Sequence, residues 1–260
     1  MKYLQTQRKL WILTALLAFV ASVWGVADQG IYEGLVETKY LPGTLGQDLI
    51  TIAASLALGW LAITARPERV RRTVVAFGIL GYLFYAYGIY VMEQVYTPPY
   101  LAYMAVFALS FWALAFGAGI LRGVEARVPA RTKKTSIAVA LLQPLVFYPA
   151  WIASLIPLMA DGRKLENIYS VYILDLCFIM PAFLLTAVAA WRGKPSGILG
   201  MPAVFVLGFT LIFSLAVSES VKPVFDQSVS VTGLIMSLAL SSLFIVAAML
   251  HLRNMKVRQR

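Results

Sequence analysis

The sequence predicts an all-α fold: a polytopic membrane helical bundle of eight transmembrane helices with both termini in the cytoplasm. Composition, the lengths of the apolar runs and the distribution of basic residues support this prediction. Hydrophobic residues occupy 60% of the 260 positions and charged residues 13%, whereas soluble domains contain about 45–50% and about 25% respectively. A water-soluble chain of this length could not bury so much apolar surface. We therefore predict a single transmembrane domain over residues 1–260.

Apolar runs of transmembrane length recur along the whole chain. A helix needs about 20 apolar residues to cross a hydrocarbon core of about 30 Å. The runs of suitable length cover residues 10–26, 48–65, 73–92, 101–121, 136–159, 168–191, 201–218 and 229–252. The longest connection, residues 27–47, contains several glycines and Pro42, which are typical of loops. Nothing between the runs is typical of a soluble domain.

Basic residues are concentrated at one end of these runs. With the N-terminus inside, 18 of the 22 Lys and Arg residues fall in cytoplasmic segments, and only Lys39, Arg163, Lys164 and Lys222 fall outside. Because positive residues mark cytoplasmic loops, we expect a multi-pass protein of the cell membrane with both ends inside. The basic segments 122–135 and 253–260 suit anionic lipid headgroups, and no nucleic-acid partner is indicated.

The first apolar run has a second interpretation. Residues 1–27 have a basic start, an apolar stretch and a Gly25-Val26-Ala27 end, which together resemble a secretory signal peptide. Cleavage would leave seven helices in the same orientation. The apolar stretch is long for a signal peptide, so we favour a retained first helix.

Two acidic positions indicate an internal repeat. Asp48 and Asp175 each precede a basic turn, with Arg66 following the first by 18 residues and Arg192 following the second by 17. These spacings fit a parallel four-plus-four duplication with halves 1–125 and 135–260. Chance similarity between apolar helices is the alternative.

The acidic residues are concentrated at the predicted outer face, and only Glu68 and Glu125 lie in cytoplasmic loops. An ionised carboxylate inside a membrane costs a few kcal/mol on insertion scales, so Asp175 should face water, a cation or a hydrogen-bond donor. Clustered carboxylates suit hard cations, protons or an organic amine. The candidate ligand-binding or ion-binding residues are therefore Asp175, Asp48, Glu93, Glu219 and, as a hydroxyl donor on the third helix, Tyr85.

Simpler roles exist for each acid. Asp48 follows a glycine-containing turn and would stabilise a helix N-terminus. Glu93 and Glu219 would be water-facing helix ends, and Asp175 would bond only to a neighbouring tyrosine or backbone group. Gly78, Gly81 and Gly88 on the third helix would allow close helix contact.

Common catalytic motifs are missing from the sequence. It has no P-loop, no G-x-S-x-G elbow, no H-E-x-x-H and no dinucleotide fingerprint. The single cysteine, Cys177, and the single histidine, His251, exclude a multi-cysteine metal site and a bis-histidine haem. No cofactor is identified, the metal that the acids would suit stays unknown, and no enzymatic activity is indicated.

Four segments carry a resemblance to other proteins. They are Gln47-Asp48-Leu49, residues 81–87, Leu174-Asp175-Leu176 with Pro181, and residues 191–197 with the sequence W-R-G-K-P-S-G. Together they resemble a group of uncharacterised prokaryotic multi-pass membrane proteins. The resemblance covers about half of the chain and implies a similar fold, without implying an activity.

Three hypotheses of function follow. The first is an outward-facing transporter or binding protein for a small solute or cation, with Asp175 central. The second is a non-catalytic sensor or subunit that binds a membrane-protein partner or a second copy of itself. The third is a lipid-modifying membrane enzyme.

Overall fold

The computed structural model describes residues 2–162, 164 and 168–259. Among these residues, eight helical spans are long and apolar enough to cross a membrane, which confirms the predicted all-α multi-pass fold. The helices are α1 (Lys2–Ala27), α2 (Leu41–Ile63), α3 (Val70–Met92), α4 (Tyr100–Gly117), α5 (Ala130–Asp161), α6 (Tyr169–Leu174), α7 (Met180–Trp191), α8 (Pro195–Val221) and α9 (Val231–Asn254). The predicted orientation also rests on Arg163 and Arg260, which lie outside the described residues.

The sixth span contains two helices joined by an irregular turn. Residues Tyr169–Trp191 form one apolar span, but a π-helical turn at Asp175–Ile179 separates α6 from α7. Pro181 lies just after the turn, and a proline lacks the backbone N–H of a regular helix. The sequence predicted one uninterrupted helix over residues 168–191, and the structure differs from that prediction by this turn.

Both ends of the described chain lie at the same face, which we call the basic face. It comprises the start of α1, the connections α2–α3, α4–α5 and α7–α8, and the segment after α9. Two short strands, β1 (Val124–Arg127) and β2 (Lys256–Gln259), pair antiparallel there and join the α4–α5 connection to the end of the chain. Arg71 Nη2 donates a hydrogen bond of 2.6 Å to the carbonyl of Met255 beside them. No pattern in the sequence predicted these strands.

Basic side chains also fix helix ends at this face. Arg8 on α1 donates hydrogen bonds to the carbonyls of Ala62 and Ile63, at 2.9 and 3.1 Å. These are among the last carbonyls of α2, which have no partner within the helix. The guanidinium of Arg72 lies 4.6 Å from the centre of the Trp60 ring, a cation–π distance.

Helices α3 and α8 form the centre of the bundle. They are the most buried spans, and α3 contacts α8 directly while each contacts the helix that follows or precedes it. A Cβ atom at Gly78 would lie 2.6 Å from the carbonyl oxygen of Ala203 and from Cβ of Val206. Only glycine therefore permits this close crossing of α3 and α8.

The second helix begins earlier than the apolar run indicated. It starts at Leu41, with Pro42 in its first turn, where a proline is well tolerated. Asp48 consequently lies about two turns inside the helix. The interpretation of Asp48 as a helix N-terminus stabiliser is wrong for this reason.

Candidate functional site

Asp48 is enclosed by hydroxyl groups near the face opposite the basic face. Its side chain is 1% exposed. The Tyr32 hydroxyl donates to Oδ2 at 2.7 Å, and the Tyr90 hydroxyl donates to Oδ1 at 3.3 Å. Tyr90 lies on α3, whereas Tyr32 belongs to the 3-10 segment Gln29–Tyr32 between α1 and α2. The carboxylate is thus bonded on both oxygens by neutral donors.

A cluster of tyrosine rings surrounds this carboxylate. Tyr32 stacks on Tyr90, with ring centres 5.7 Å apart, and Tyr90 stacks on Tyr103 of α4 at 4.8 Å. The hydroxyls of Tyr32 and Tyr103 are 3.2 Å apart. Burial raises the pKa of Tyr32 well above its ordinary value, and Tyr90 and Asp48 raise it further. The Tyr32 hydroxyl therefore remains protonated and keeps its role as a donor.

The backbone of α1 closes the third side of the site. A Cβ atom built at Gly25 would overlap the Asp48 carboxylate and the Tyr32 hydroxyl. The α1 backbone therefore packs directly on the carboxylate. A residue with a side chain at position 25 would have to displace it, because real Cβ contacts do not come this close.

A second layer of hydrogen bonds holds α2 against α3. The Tyr82 hydroxyl lies 3.0 Å from Thr51 Oγ1 and donates to the Gln47 carbonyl at 3.0 Å. The Gln47 side chain donates to the carbonyl of Ala86 at 3.1 Å. These bonds fix the rotation of α2 so that Asp48 points toward the tyrosines.

Asp175 occupies a similar environment in the sixth span. It opens the π-helical turn and is 7% exposed. Trp151 Nε1 on α5 donates to Oδ2 at 2.7 Å, and the Tyr85 hydroxyl on α3 interacts with the same carboxyl group. The Tyr148 hydroxyl donates to the neighbouring Leu176 carbonyl at 3.2 Å. As with Asp48, the partners are neutral donors from other helices, and one of them comes from α3.

Glu93 and Glu219 have different surroundings. Glu93 follows α3 and accepts hydrogen bonds from the backbone N–H, at 2.9 Å, and the hydroxyl of Ser170 in the first turn of α6. Glu219 accepts from the backbone N–H of Ser230 at 3.0 Å, at the start of α9, and forms a 2.7 Å ion pair with Lys222. Acceptors at helix N-termini satisfy N–H groups that lack partners.

The four predicted acids therefore have separate sets of partners. Asp48 and Asp175 interact with tyrosines of α3, whereas Glu93 and Glu219 bind helix starts. Within the described part of the chain, no three His, Cys, Asp or Glu side chains are grouped closely enough to hold a metal ion.

Sequence reasoning missed three polar features of the structure. Tyr32 lies in a connection with no regular pattern, and Trp151 lies on a helix distant in sequence from Asp175. The third is a buried pair at the other end of the bundle: Ser136 Oγ lies 2.7 Å from Nδ1 of His251, whose Nε2 lies 3.0 Å from the Ile198 carbonyl. The motif search indicated no serine–base pair because these residues are 115 positions apart.

No family model, curated protein or solved structure matches the chain. The chain is a multi-pass membrane helical protein, and membership in the prokaryotic group that it resembles stays a prediction.

Proposed function

We propose that the protein binds a proton or a small cation at Asp48 and Asp175 and moves it, alone or with a small solute, between the faces of the membrane. One observation carries this proposal. Both carboxyl groups are buried within spans, and both bond to neutral hydroxyl or indole donors. Neither forms an ion pair with a Lys, Arg or His among the described residues.

Both aspartates lack a full positive charge nearby among the described residues. A carboxylate in a low-dielectric setting needs a counter-charge, and inside a membrane such groups typically lie on ion or proton pathways. Hydroxyl and indole donors stabilise the negative charge only in part, because they carry no full positive charge. A bound proton or small cation would supply the missing charge.

The dense packing around Asp48 favours a small ligand. Gly25, Tyr32 and Tyr90 contact the carboxyl group from three elements. A proton needs no cavity, whereas an organic amine would have to displace Tyr32. The conformation described above would then be the occluded state, and withdrawal of the segment Gln29–Tyr32 would open Asp48 to water.

Helix packing supports the proposed duplication of residues 1–125 and 135–260. In the first half, α1 packs on α2 and α4, and α3 packs on α4; in the second half, α5 packs on α7 and α9, and α8 packs on α9. Asp48 and Asp175 would then be equivalent sites, one in each half. Superposing α1–α4 on α5–α9 in an experimental structure would test this, and an overlay that separates the two aspartates would contradict it.

The distribution of basic residues supports a location in a prokaryotic cell membrane, with the basic face on the cytoplasmic side. Asp48 and Asp175 would then lie nearer the outer face. Cysteine labelling at Tyr96 and Lys134 with a membrane-impermeant reagent in intact cells would test it. We expect labelling at position 96 alone. Labelling at position 134 alone would show the opposite orientation.

Flux measurements in proteoliposomes test the transport proposal directly. The purified chain is reconstituted with trapped pH-sensitive and sodium-sensitive dyes, and proton entry, sodium entry and the uptake of radiolabelled methylammonium are followed under an imposed gradient. We expect a rate above that of empty liposomes for at least one of these ions. The rate should fall at least tenfold in Asp48→Asn and in Asp175→Asn, because the amide cannot carry the charge.

The matched control is Glu33→Gln, which removes an exposed acid from the same side of the protein and should leave the rate unchanged. Melting curves of each variant separate lost flux from lost folding. A wild-type rate equal to that of empty liposomes for all three ions would overturn the proposal. Recovery of a stoichiometric membrane partner would then favour the sensor or subunit hypothesis.

A further inference from the structure

A cavity opens at the basic face, far from the two aspartates along the helices. It has a volume of about 670 Å³ and lies between the end of α4, the 3-10 segment Ala118–Leu121 and the start of α8. This volume is within the range of small-molecule sites, about 300–1,000 Å³. The proposed transport function makes no use of it.

The walls of the cavity are apolar and its rim is charged. Phe77, Leu114, Leu199 and Ala203 line the interior. Arg122, Glu125 and Lys194 line the same cavity and belong to connections at the basic face. The side chains of Arg122 and Lys194 are both exposed, so the rim carries two accessible cations against one acid.

Arg122 also borders a second cavity. This one measures about 280 Å³ and is lined by Tyr3, Phe116 and Gly119, with Ala118 and Arg122 shared between the two. One cation therefore lies between two recesses that open at the same end of α4. Helix α8 begins at Pro195, directly after Lys194, and the positive end of a helix dipole favours anions.

We propose that this cavity binds an anionic glycerophospholipid from the surrounding bilayer. The phosphate would lie against Arg122 and Lys194, and an acyl chain would lie along Phe77, Leu114 and Leu199. Charge complementarity identifies the occupant, since basic pockets between membrane helices at a leaflet surface suit anionic headgroups. A zwitterionic lipid would offer the same chains without the net charge, and a free phosphate would offer the charge without the chains.

Lipid titration of the delipidated full-length chain in detergent tests this proposal. Phosphatidylglycerol, phosphatidylcholine and glycerol phosphate are added separately, and the melting temperature is followed. We expect phosphatidylglycerol to raise it by several degrees, and the other two to leave it nearly unchanged. The double variant Arg122→Gln/Lys194→Gln should bind phosphatidylglycerol roughly tenfold or more weakly.

A second variant tests the apolar wall. Ala203→Leu adds a side chain within the cavity and should abolish the shift, whereas Ala153→Leu, at an exposed position of α5, should keep it. Arg66→Gln/Lys134→Gln removes two exposed cations from the same face outside the cavity and should also keep it.

Native mass spectrometry of the wild-type chain gives a readout that does not depend on a variant's folding. One retained phosphatidylglycerol, in preference to phosphatidylcholine, is the expected result. Equal retention of the two lipids, an equal shift with glycerol phosphate, or a full shift in Arg122→Gln/Lys194→Gln would overturn the proposal.

Discussion

The Tyr32 hydroxyl lies 2.7 Å from Oδ2 of Asp48, and this bond joins the connection after α1 to the interior of α2. It is the shortest bond to that carboxylate, which also accepts from Tyr90 at 3.3 Å. Tyr32 is itself fully buried. The connection therefore behaves as part of the core at this point, and its aromatic ring covers the carboxylate.

Tyr32→Phe keeps the ring and removes the donor. Because the carboxyl group would lose its closest partner while staying buried, we expect a loss of about 1–3 kcal/mol in the free energy of unfolding. The measurement is a denaturant titration in mild detergent. Tyr96→Phe changes an exposed tyrosine on the same side and should change stability little; equal effects of the two substitutions would show that the Asp48 bond contributes nothing.

Gly25→Ala tests the packing of the α1 backbone on Asp48. The added methyl group would overlap the carboxylate, and overpacking of this kind costs about 1–3 kcal/mol. At Gly43 nothing lies within 4 Å of an added Cβ, so Gly43→Ala should stabilise the helix by about 0.5–1 kcal/mol. Opposite signs in the two unfolding titrations are the expected result, and a neutral Gly25→Ala would contradict the close approach.

The Ser136–His251 pair should act as a structural link between α5 and α9. Both side chains are buried, and Ser136→Ala would leave Nδ1 of His251 without its partner, at a cost of about 1–3 kcal/mol. In a double-mutant cycle with His251→Leu, the two losses should be less than additive. Ser154→Ala, at an exposed position of the same helix, is the control. Strict additivity would show that the two residues do not interact in solution.

The sequence was sufficient to predict the eight spans because lipid imposes a minimum length on each apolar run. It also identified Asp175 as unusual, since that residue lies among apolar residues, and it named Asp48 as a further candidate closer to the interface. It could not identify Tyr32 as a ligand of Asp48, because a connection has no periodicity from which burial can be read. The π-helical turn at Asp175 was missed for a similar reason: Pro181 indicates an irregularity without specifying its form.

Contacts between distant segments were also beyond sequence reasoning. The pairing of β1 with β2 depends on the α4–α5 connection and the chain end meeting at one face, which follows only from the packed bundle. The partners of Glu93 and Glu219 illustrate the same point. Both acids were predicted as ion-binding residues from their position near helix ends, and both accept hydrogen bonds from the starts of other helices.

Glu93 and Glu219 provide a prediction that separates stability from flux. Glu93 and Glu219 are half-buried and accept hydrogen bonds from helix starts. Glu93→Gln and Glu219→Gln should therefore weaken an N–H acceptor next to a helix dipole, at a cost of about 0.3–2 kcal/mol each. Glu219→Gln also loses its ion pair with Lys222, whose side chain is 23% exposed. The flux per folded molecule should stay at the wild-type level in both variants, while Asp48→Asn and Asp175→Asn lose it. Melting curves and liposome flux on the same preparations make the comparison, and a flux lost in Glu93→Gln without a change in stability would assign that carboxylate to the ion pathway instead.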